Sequence, residues 1–327
     1  MKYRKFKNNE VSEIGLGTWQ LGISDWGTIN EDEALNILNA FVAGGGNFID
    51  TADVYGMGIS EKTIGRFLKQ TDKKLFVATK LGRRSDGDAG WPQNFTYNGM
   101  RRHVESSLTN LGQSTLFLEQ LHCIPTEELK SGTVFDHLRT LQQEGLIQHW
   151  GASVETSEEA LLCLQQEGLA SLQIIFNLFR QHVAEEIFSI AAEKGVALIV
   201  RVPLASGLLT GKFTDKTFFA PTDHRNFNAN GDAFNAGETF SGIEFNQGVQ
   251  FSKEMQAILP EGPMAQSALR WILDHPEVTT VIPGASSVAQ VQSNLSASNL
   301  PSLPSETHAK LNVLYDEKIK PQIRGHY

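Results

Sequence analysis

Residues 147–202 read IQHWGASVETSEEALLCLQQEGLASLQIIFNLFRQHVAEEIFSIAAEKGVALIVRV. Three short β-rich runs, 147–153, 172–177 and 197–202, alternate with two longer runs, 157–166 and 184–194, in which apolar residues recur at helical spacing. Gly168 and Gly195 stand where the helices must stop and the chain turn back. A strand followed by a helix and then another strand, with no hairpin turn between them, implies parallel strands. If the same unit repeats in both directions, this stretch decides the fold.

Outward from this stretch the alternation continues. Toward the N-terminus, strands are expected at 14–19, 47–51, 75–80 and 116–122, with helices at 31–43, 60–69, 98–111 and 134–144. Runs 3–6 and 11–14 flank Asn8 and Asn9, the mark of a small hairpin, and Ser60 is the expected N-cap of its helix. Toward the C-terminus come a helix at 263–275, a strand at 279–282, a helix at 288–297 and a last helix at 305–318. No Pro/Ser-rich linker divides the chain. About eight β/α units in one alternation favour a closed (β/α)8 TIM barrel over an open doubly wound sheet. Residues 1–327 are therefore read as a single domain, although length alone suggests about two. The residues beyond a minimal barrel fall to the N-terminal hairpin, a long loop after strand 7 and the extra C-terminal helix. That loop, 212–248, is rich in Phe, Asn and Gly with little periodicity. Its phenylalanines argue against disorder, and its length suggests a lid over cofactor or substrate.

Composition narrows the partners. Lys and Arg number 28 against 37 Asp and Glu, a net charge of −9. That balance excludes nucleic acid and anionic membrane as main partners, since both require a basic field. Apolar runs such as 196–200 are far below spanning length. Two cysteines, Cys123 and Cys163, build no disulfide framework, and residues 1–10 contain no apolar leader, so a cytoplasmic location is expected. The pairs His103/Cys123 and His149/Cys163 lack metal-ligand spacing, so no metal is expected. Nothing in the sequence speaks to oligomeric state.

In a β/α barrel the chemistry sits at the C-terminal ends of the strands. The polar residues at or near the expected ends are Asp50, Lys80, His122, Ser153, Gln173 with Asn177, and Arg201, with Asp53 and Tyr55 shortly after strand 2. Tyrosine alone keeps its proton at neutral pH; a neighbouring ammonium favours the phenolate and lowers its pKa. A carboxylate beside that lysine keeps it charged, and a histidine can orient a carbonyl. The set Asp50, Tyr55, Lys80 and His122 therefore suits a tyrosine general acid that protonates a carbonyl oxygen. Singly, each has a bland reading as a packing tyrosine, a salt-bridged lysine, a structural histidine or a turn cap. Joint occurrence at successive strand ends outweighs those readings.

These residues lie in motifs by which the chain resembles the aldo-keto reductase superfamily: GLGTW (15–19), FIDTADVYG (48–56), Ser60-Glu61 with Ile64-Gly65, ATK (78–80), QLH (120–122), GAS (151–153), PLASGLLTGK (203–212) and IPGAS (282–286) with Asn294. The resemblance implies a carbonyl reductase using NADP(H), with NAD(H) as the other candidate. It implies Tyr55 as proton donor, tuned by Lys80 and Asp50, with His122 orienting a small-molecule carbonyl. It further implies cofactor contacts from Gly17, Thr18, Trp19, Asp50, Ser153, Gln173, Arg201, Pro203, Leu204, Ser206, Gly207, Leu209, Gly211, Lys212, Gly284, Ser286, Ser287, Gln290 and Asn294. Four departures stand out. Val154 replaces the usual Asn beside Ser153. Arg201 replaces an aromatic residue that stacks on nicotinamide. No positive charge lies between residues 283 and 295, where NADP-selective members carry Lys or Arg. Phe117 and Glu119 replace the usual Asp and Tyr, and Glu119, facing away from His122 by strand alternation, needs a partner from a helix. Trp19, Trp26, Tyr55, Trp91 and Phe95 are candidates for an apolar substrate pocket. Aldehydes, ketones and sugar-derived carbonyls all remain open as substrates. Two other readings stand beside the enzyme: a cofactor-binding regulatory subunit with little turnover, and a hydrolase or isomerase on the same barrel.

Overall fold

The structure, a computed structural model, describes residues 1–21, 29–84 and 95–325. Trp26 and Trp91 lie outside the described residues. The strands are β1 (Tyr3–Phe6), β2 (Asn9–Ser12), β3 (Leu16–Gly17), β4 (Phe48–Asp50), β5 (Phe76–Leu81), β6 (Leu116–His122), β7 (Ile147–Ser153), β8 (Ser171–Ile175), β9 (Ala197–Arg201) and β10 (Val278–Val281). β3 to β10 form one eight-stranded parallel sheet in chain order. Bridges Ile14–Val281 and Gly17–Gly284 join its two edges. The Gly15 and Gly17 N–H groups donate to the Val281 and Pro283 carbonyls at 2.8 and 3.1 Å. Gly17 has to be glycine here, because a Cβ would lie 2.8 Å from the Ile282 carbonyl oxygen. The (β/α)8 TIM barrel expected from the alternation is the observed fold.

The helices are α1 (Glu31–Ala43), α2 (Ile59–Leu68), α3 (Tyr97–Leu111), α4 (Thr126–Ser131), α5 (Thr133–Gln143), α6 (Ser157–Leu164), α7 (Val183–Glu193), α8 (His224–Phe227), α9 (Phe245–Ile258), α10 (Met264–Leu273), α11 (Val288–Ser296) and α12 (Ser305–Leu314). Local chemistry sets their starts. Asn30 and Thr156 close capping boxes with Glu33 and Glu159. Ser60 is not an N-cap: α2 begins one residue earlier behind Gly58, and the Ser60 hydroxyl is spent on Thr18 and Thr51 at 2.9 Å each. The stretch expected to be irregular is shorter than 212–248 and partly ordered into α8 and 3-10 turns; α9 takes over at Phe245.

The β1–β2 hairpin closes the N-terminal end of the barrel. Lys7, at φ +50°, makes the tight turn, so the second strand starts at Asn9 rather than residue 11. Phe6 packs into this end against Phe117 and Phe48, with ring centroids 5.2 and 6.3 Å apart. Phe117 also meets Phe76 at 4.7 Å, so an apolar ring at 117 belongs to the plug. With one end sealed, polar side chains at the strand C-termini face the other.

Candidate active site

Strand alternation puts Asp50, Lys80, His122, Ser153, Gln173 and Arg201 on the inward face near the open end. At their centre Lys80 Nζ lies 2.5 Å from Asp50 Oδ1 and donates to the Thr51 carbonyl at 2.8 Å. The Lys80 side chain is fully buried. Asp50 Oδ2 accepts from the Gln173 and Gln120 amides at 2.7 and 3.3 Å, so both carboxylate oxygens are held. Burial works against the Lys80 charge, but Asp50 and Tyr55 outweigh it and hold its pKa above the ordinary value.

Tyr55 is half-buried above this pair, its oxygen 3.5 Å from Lys80 Nζ. Lys80 pulls the Tyr55 pKa down as expected, but it is not the largest influence. Burial raises it, Lys80 opposes, Asp50 and Glu238 add to the rise, and the phenol ends above its ordinary value. Tyr55 therefore stands as a neutral O–H donor. The His122 ring meets Tyr55 edge-on at 5.8 Å. Burial, with Arg83, Lys80 and Arg201 nearby, holds His122 well below its ordinary pKa, so the ring is neutral.

Trp19 stacks on Tyr55 at 6.1 Å and 18°. It also meets His224 and Phe234 of the long segment at 5.0 and 6.2 Å. Arg201 reaches Glu238 of the same segment at 3.4 Å and donates to the Val154 carbonyl at 3.1 Å. Arg83 bridges Glu155 at 2.7 Å and Glu238 at 3.2 Å. The segment thus crosses the barrel mouth on an alternating chain of charges, Glu155, Arg83, Glu238 and Arg201. Cys123 Sγ and oxygens of Glu155 and Glu238 lie within 4.8 Å of one another, but the cation positions beside them belong to Arg83 and Arg201.

The other expected cofactor contacts sort by exposure. Ser153 Oγ donates to Gln173 Oε1 at 3.3 Å and the Gln173 amide donates to Asp50, so both buried side chains are tied into the Asp50–Lys80 network at the open end. Trp19, Gly17, Leu204, Gly207, Gly211 and Lys212 have surface at the open end, and Gly207 and Gly211 adopt φ of +101° and +69°. The Arg201 Nε is buried with no partner. Ser286, Ser287 and Gln290 are bonded to one another at the start of α11. Asn294 donates to the Gly284 carbonyl at 3.3 Å. An elongated anionic nicotinamide cofactor fits this set. Other residues are turned inward. Thr18 is fully buried, its hydroxyl donating to the Asp50 carbonyl at 2.9 Å; Leu209 is part of the apolar core; Pro203 is buried. Ser206 bonds the segment, accepting from Phe240 N–H and donating to the Glu238 carbonyl. Sequence reasoning missed Gln120, Arg83, Glu155, Glu238, His224 and Phe234 as site neighbours. Strand alternation with His122 marks Gln120; the loop residues carry no periodic signal.

Residues 13–316 match the family model described as the aldo/keto reductase family. An uncharacterized oxidoreductase of Bacillus subtilis, YqkF, is 29% identical over 94% of this chain and 94% of its own. The NADH-specific methylglyoxal reductase of Escherichia coli is 27% identical over 89% of this chain and 90% of its own. Among solved structures, an aldo-keto reductase from Bacillus halodurans in its holo form superposes with a TM-score of 0.78 at 26% identity, covering 96% of each chain.

Proposed function

The chain belongs to the aldo/keto reductase family, and from that premise we propose that it reduces an aldehyde or ketone to the alcohol with a nicotinamide cofactor, Tyr55 delivering the proton. The observation that carries this reading is the unbroken contact from Asp50 through Lys80 to the Tyr55 oxygen, with the neutral His122 ring beside it. When bound, the cofactor would supply hydride to the carbonyl carbon. The protein's part is to place and protonate the other atom. As negative charge develops on the carbonyl oxygen, the Tyr55 O–H donates its proton to it. Lys80, kept charged by Asp50, stabilises the phenolate left behind. A neutral imidazole offers its N–H to the same oxygen and orients the substrate without competing for the proton.

Ser153 and Gln173 are proposed to hold the nicotinamide carboxamide, and the planar Arg201 guanidinium to lie against the ring. The backbone at Leu204, Gly207 and Gly211, with Lys212 at its edge, would take the pyrophosphate. The ribose and any 2′-phosphate fall to Gly284, Ser286, Ser287, Gln290 and Asn294 at the α11 N-terminus, where free N–H groups favour an anion without lysine. NADP(H) is the proposed cofactor, with NAD(H) accepted; consumption of each over a panel of small carbonyls measures the preference. The segment crossing the mouth is proposed to cover cofactor and substrate together. Replacing Tyr55→Phe should leave cofactor affinity unchanged and lower turnover about 10²–10⁴-fold. Full turnover in that variant removes the assignment.

A further inference from the structure

Tyr55 is carried by a strained turn between β4 and α2, closed on its far side by the Ile59 N–H to the Gly56 carbonyl at 3.2 Å and the Ser60 N–H to the Tyr55 carbonyl at 3.3 Å. Its N-terminal half rests on a Tyr55 N–H bond to Ala52 and a Met57 N–H bond to Val54, each 3.1 Å. Gly56, Met57 and Gly58 then adopt φ of +60°, +51° and +89° in succession. For Met57 that backbone costs about 1–2 kcal/mol. Among the described residues, groups outside the turn also fix it at both ends. At its far end Ser60 is tied to Thr18 and Thr51. At its near end Asp53 is tied twice: its N–H donates to the Lys80 carbonyl at 3.1 Å, and its Oδ2 lies 2.8 Å from His103 Nδ1 on α3. Asp53 and His103 are essentially without solvent exposure.

We propose that His103 is a positioning residue for Tyr55: through the buried Asp53 it pins the start of the turn to α3 and so sets the distance between the Tyr55 oxygen and Lys80. A carboxylate only accepts, so His103 Nδ1 is the donor. The peptide that receives the Asp53 N–H belongs to Lys80 itself, so one side chain fixes the tyrosine's turn against the lysine's strand. Among the described residues a cation also reaches Asp53 Oδ2, at longer range than the imidazole. Arg84 comes only to 3.8 Å and is partly exposed. The remaining charged groups around it are carboxylates, Glu61 on α2 and Glu119 on β6, together with Lys80, which is engaged with Asp50.

This inference rests on Tyr55 being the proton donor, and the experiment separates the two. Asn at 103 places its amide nitrogen where Nδ1 stands, whereas Gln places its own where Nε2 stands. His103→Asn should keep kcat within about twofold, while His103→Gln and His103→Ala should lose about 10- to 10²-fold in kcat. Cofactor affinity, read by quenching of tryptophan fluorescence, should hold in all three. In the two impaired variants the alkaline limb of the reduction rate should move to higher pH, because Lys80 acts on Tyr55 from farther away. Equal losses in Asn and Gln, losses that follow thermal stability alone, an unmoved pH limb, or wild-type kcat in Gln would each overturn the positioning role. Tyr55→Phe is run alongside: if it is inactive while His103→Gln is unimpaired, only the positioning role fails; if it is fully active, the proton-donor reading fails.

Discussion

The wall formed by β4, β5 and β6 carries buried charge on both faces, and the two faces are built on opposite rules. On the inward face one lysine meets one aspartate, and both Asp50 oxygens are satisfied by Lys80, Gln173 and Gln120. Toward α2 and α3 the layer holds the carboxyl groups of Asp53, Glu61 and Glu119, with the His103 imidazole on Asp53 and the partly exposed Arg84 3.8 Å from it. Glu61 is well supplied, accepting from Thr79 at 2.6 Å and Asn110 at 2.9 Å. Glu119 is not. It is fully buried in the row between Thr79 and Trp150, neither oxygen has a partner at hydrogen-bonding geometry, and its own neighbour Gln120 offers weak relief. Among the described residues no helix side chain bonds it, although its position calls for one. Burial, reinforced by Asp53 and Glu61, pushes the Glu119 carboxyl well above its ordinary pKa. One face thus pairs its charges, while on the other burial and neighbouring carboxylates push Glu119 toward its neutral form.

The harshest way to break this comparison is Lys80→Met. It leaves Asp50 as a buried anion among amide donors. Removing one partner of a buried pair costs about 3–5 kcal/mol. Turnover should vanish, and the urea midpoint should fall by an amount consistent with that cost. A midpoint near wild type would mean that Asp50 simply takes up a proton and that the inward face follows the outward rule.

Glu119→Gln should move stability the other way. A raised carboxyl pKa contributes stability that is complete below the unfolded value of 4.5 and is lost as pH rises through the folded value. Wild-type stability should therefore decline as pH climbs into the neutral and alkaline range, and Glu119→Gln should flatten that decline. At pH 8 the gain should be about 1–3 kcal/mol, the usual cost of a buried polar group left unmade. Parallel pH–stability curves for the two proteins would show that Glu119 has a partner and stays charged.

The two faces were not equally legible in the sequence. Asp50, Lys80, His122 and Tyr55 fall at strand ends within recognisable motifs, and alternation is enough to gather them. The barrel was legible for the same reason, because strand and helix periods repeat along the chain. Asp53 and His103 are 50 residues apart, and only the packing of α3 on the barrel joins them. The charge chain at the mouth was illegible for a different reason: Glu238 sits in a segment without periodicity, and its partners Arg83 and Arg201 stand just after β5 and at the end of β9. The start of α9 inside the segment was missed because Asn246 and Gly248 weaken helix propensity, whereas burial of Val249, Phe251 and Met255 supplies what propensity lacks. Phe117 and Glu119 read alike as departures, yet only Phe117 found its reason, in the hairpin plug.

The finest test sets the pH responses of the two faces against each other in one protein. Among the inward groups, His122 is the one whose ordinary pKa of 6.5 would put a step in the rate near neutrality. Its burial, with Arg83, Lys80 and Arg201 close by, moves that step well below neutrality, and Tyr55 moves in the opposite direction, above its ordinary value. Turnover in the reduction direction at saturating substrate should then vary by less than about twofold from pH 6 to 8. Stability over the same window should already be falling through Glu119. A rate step near pH 6.5 would place a titrating imidazole at the mouth and make His122 a proton carrier rather than an orienting donor. A flat rate over a sloping stability is what neutral His122 and a still-protonated Glu119 in the folded protein require, since the slope then comes from ionisation of that carboxyl in the unfolded chain.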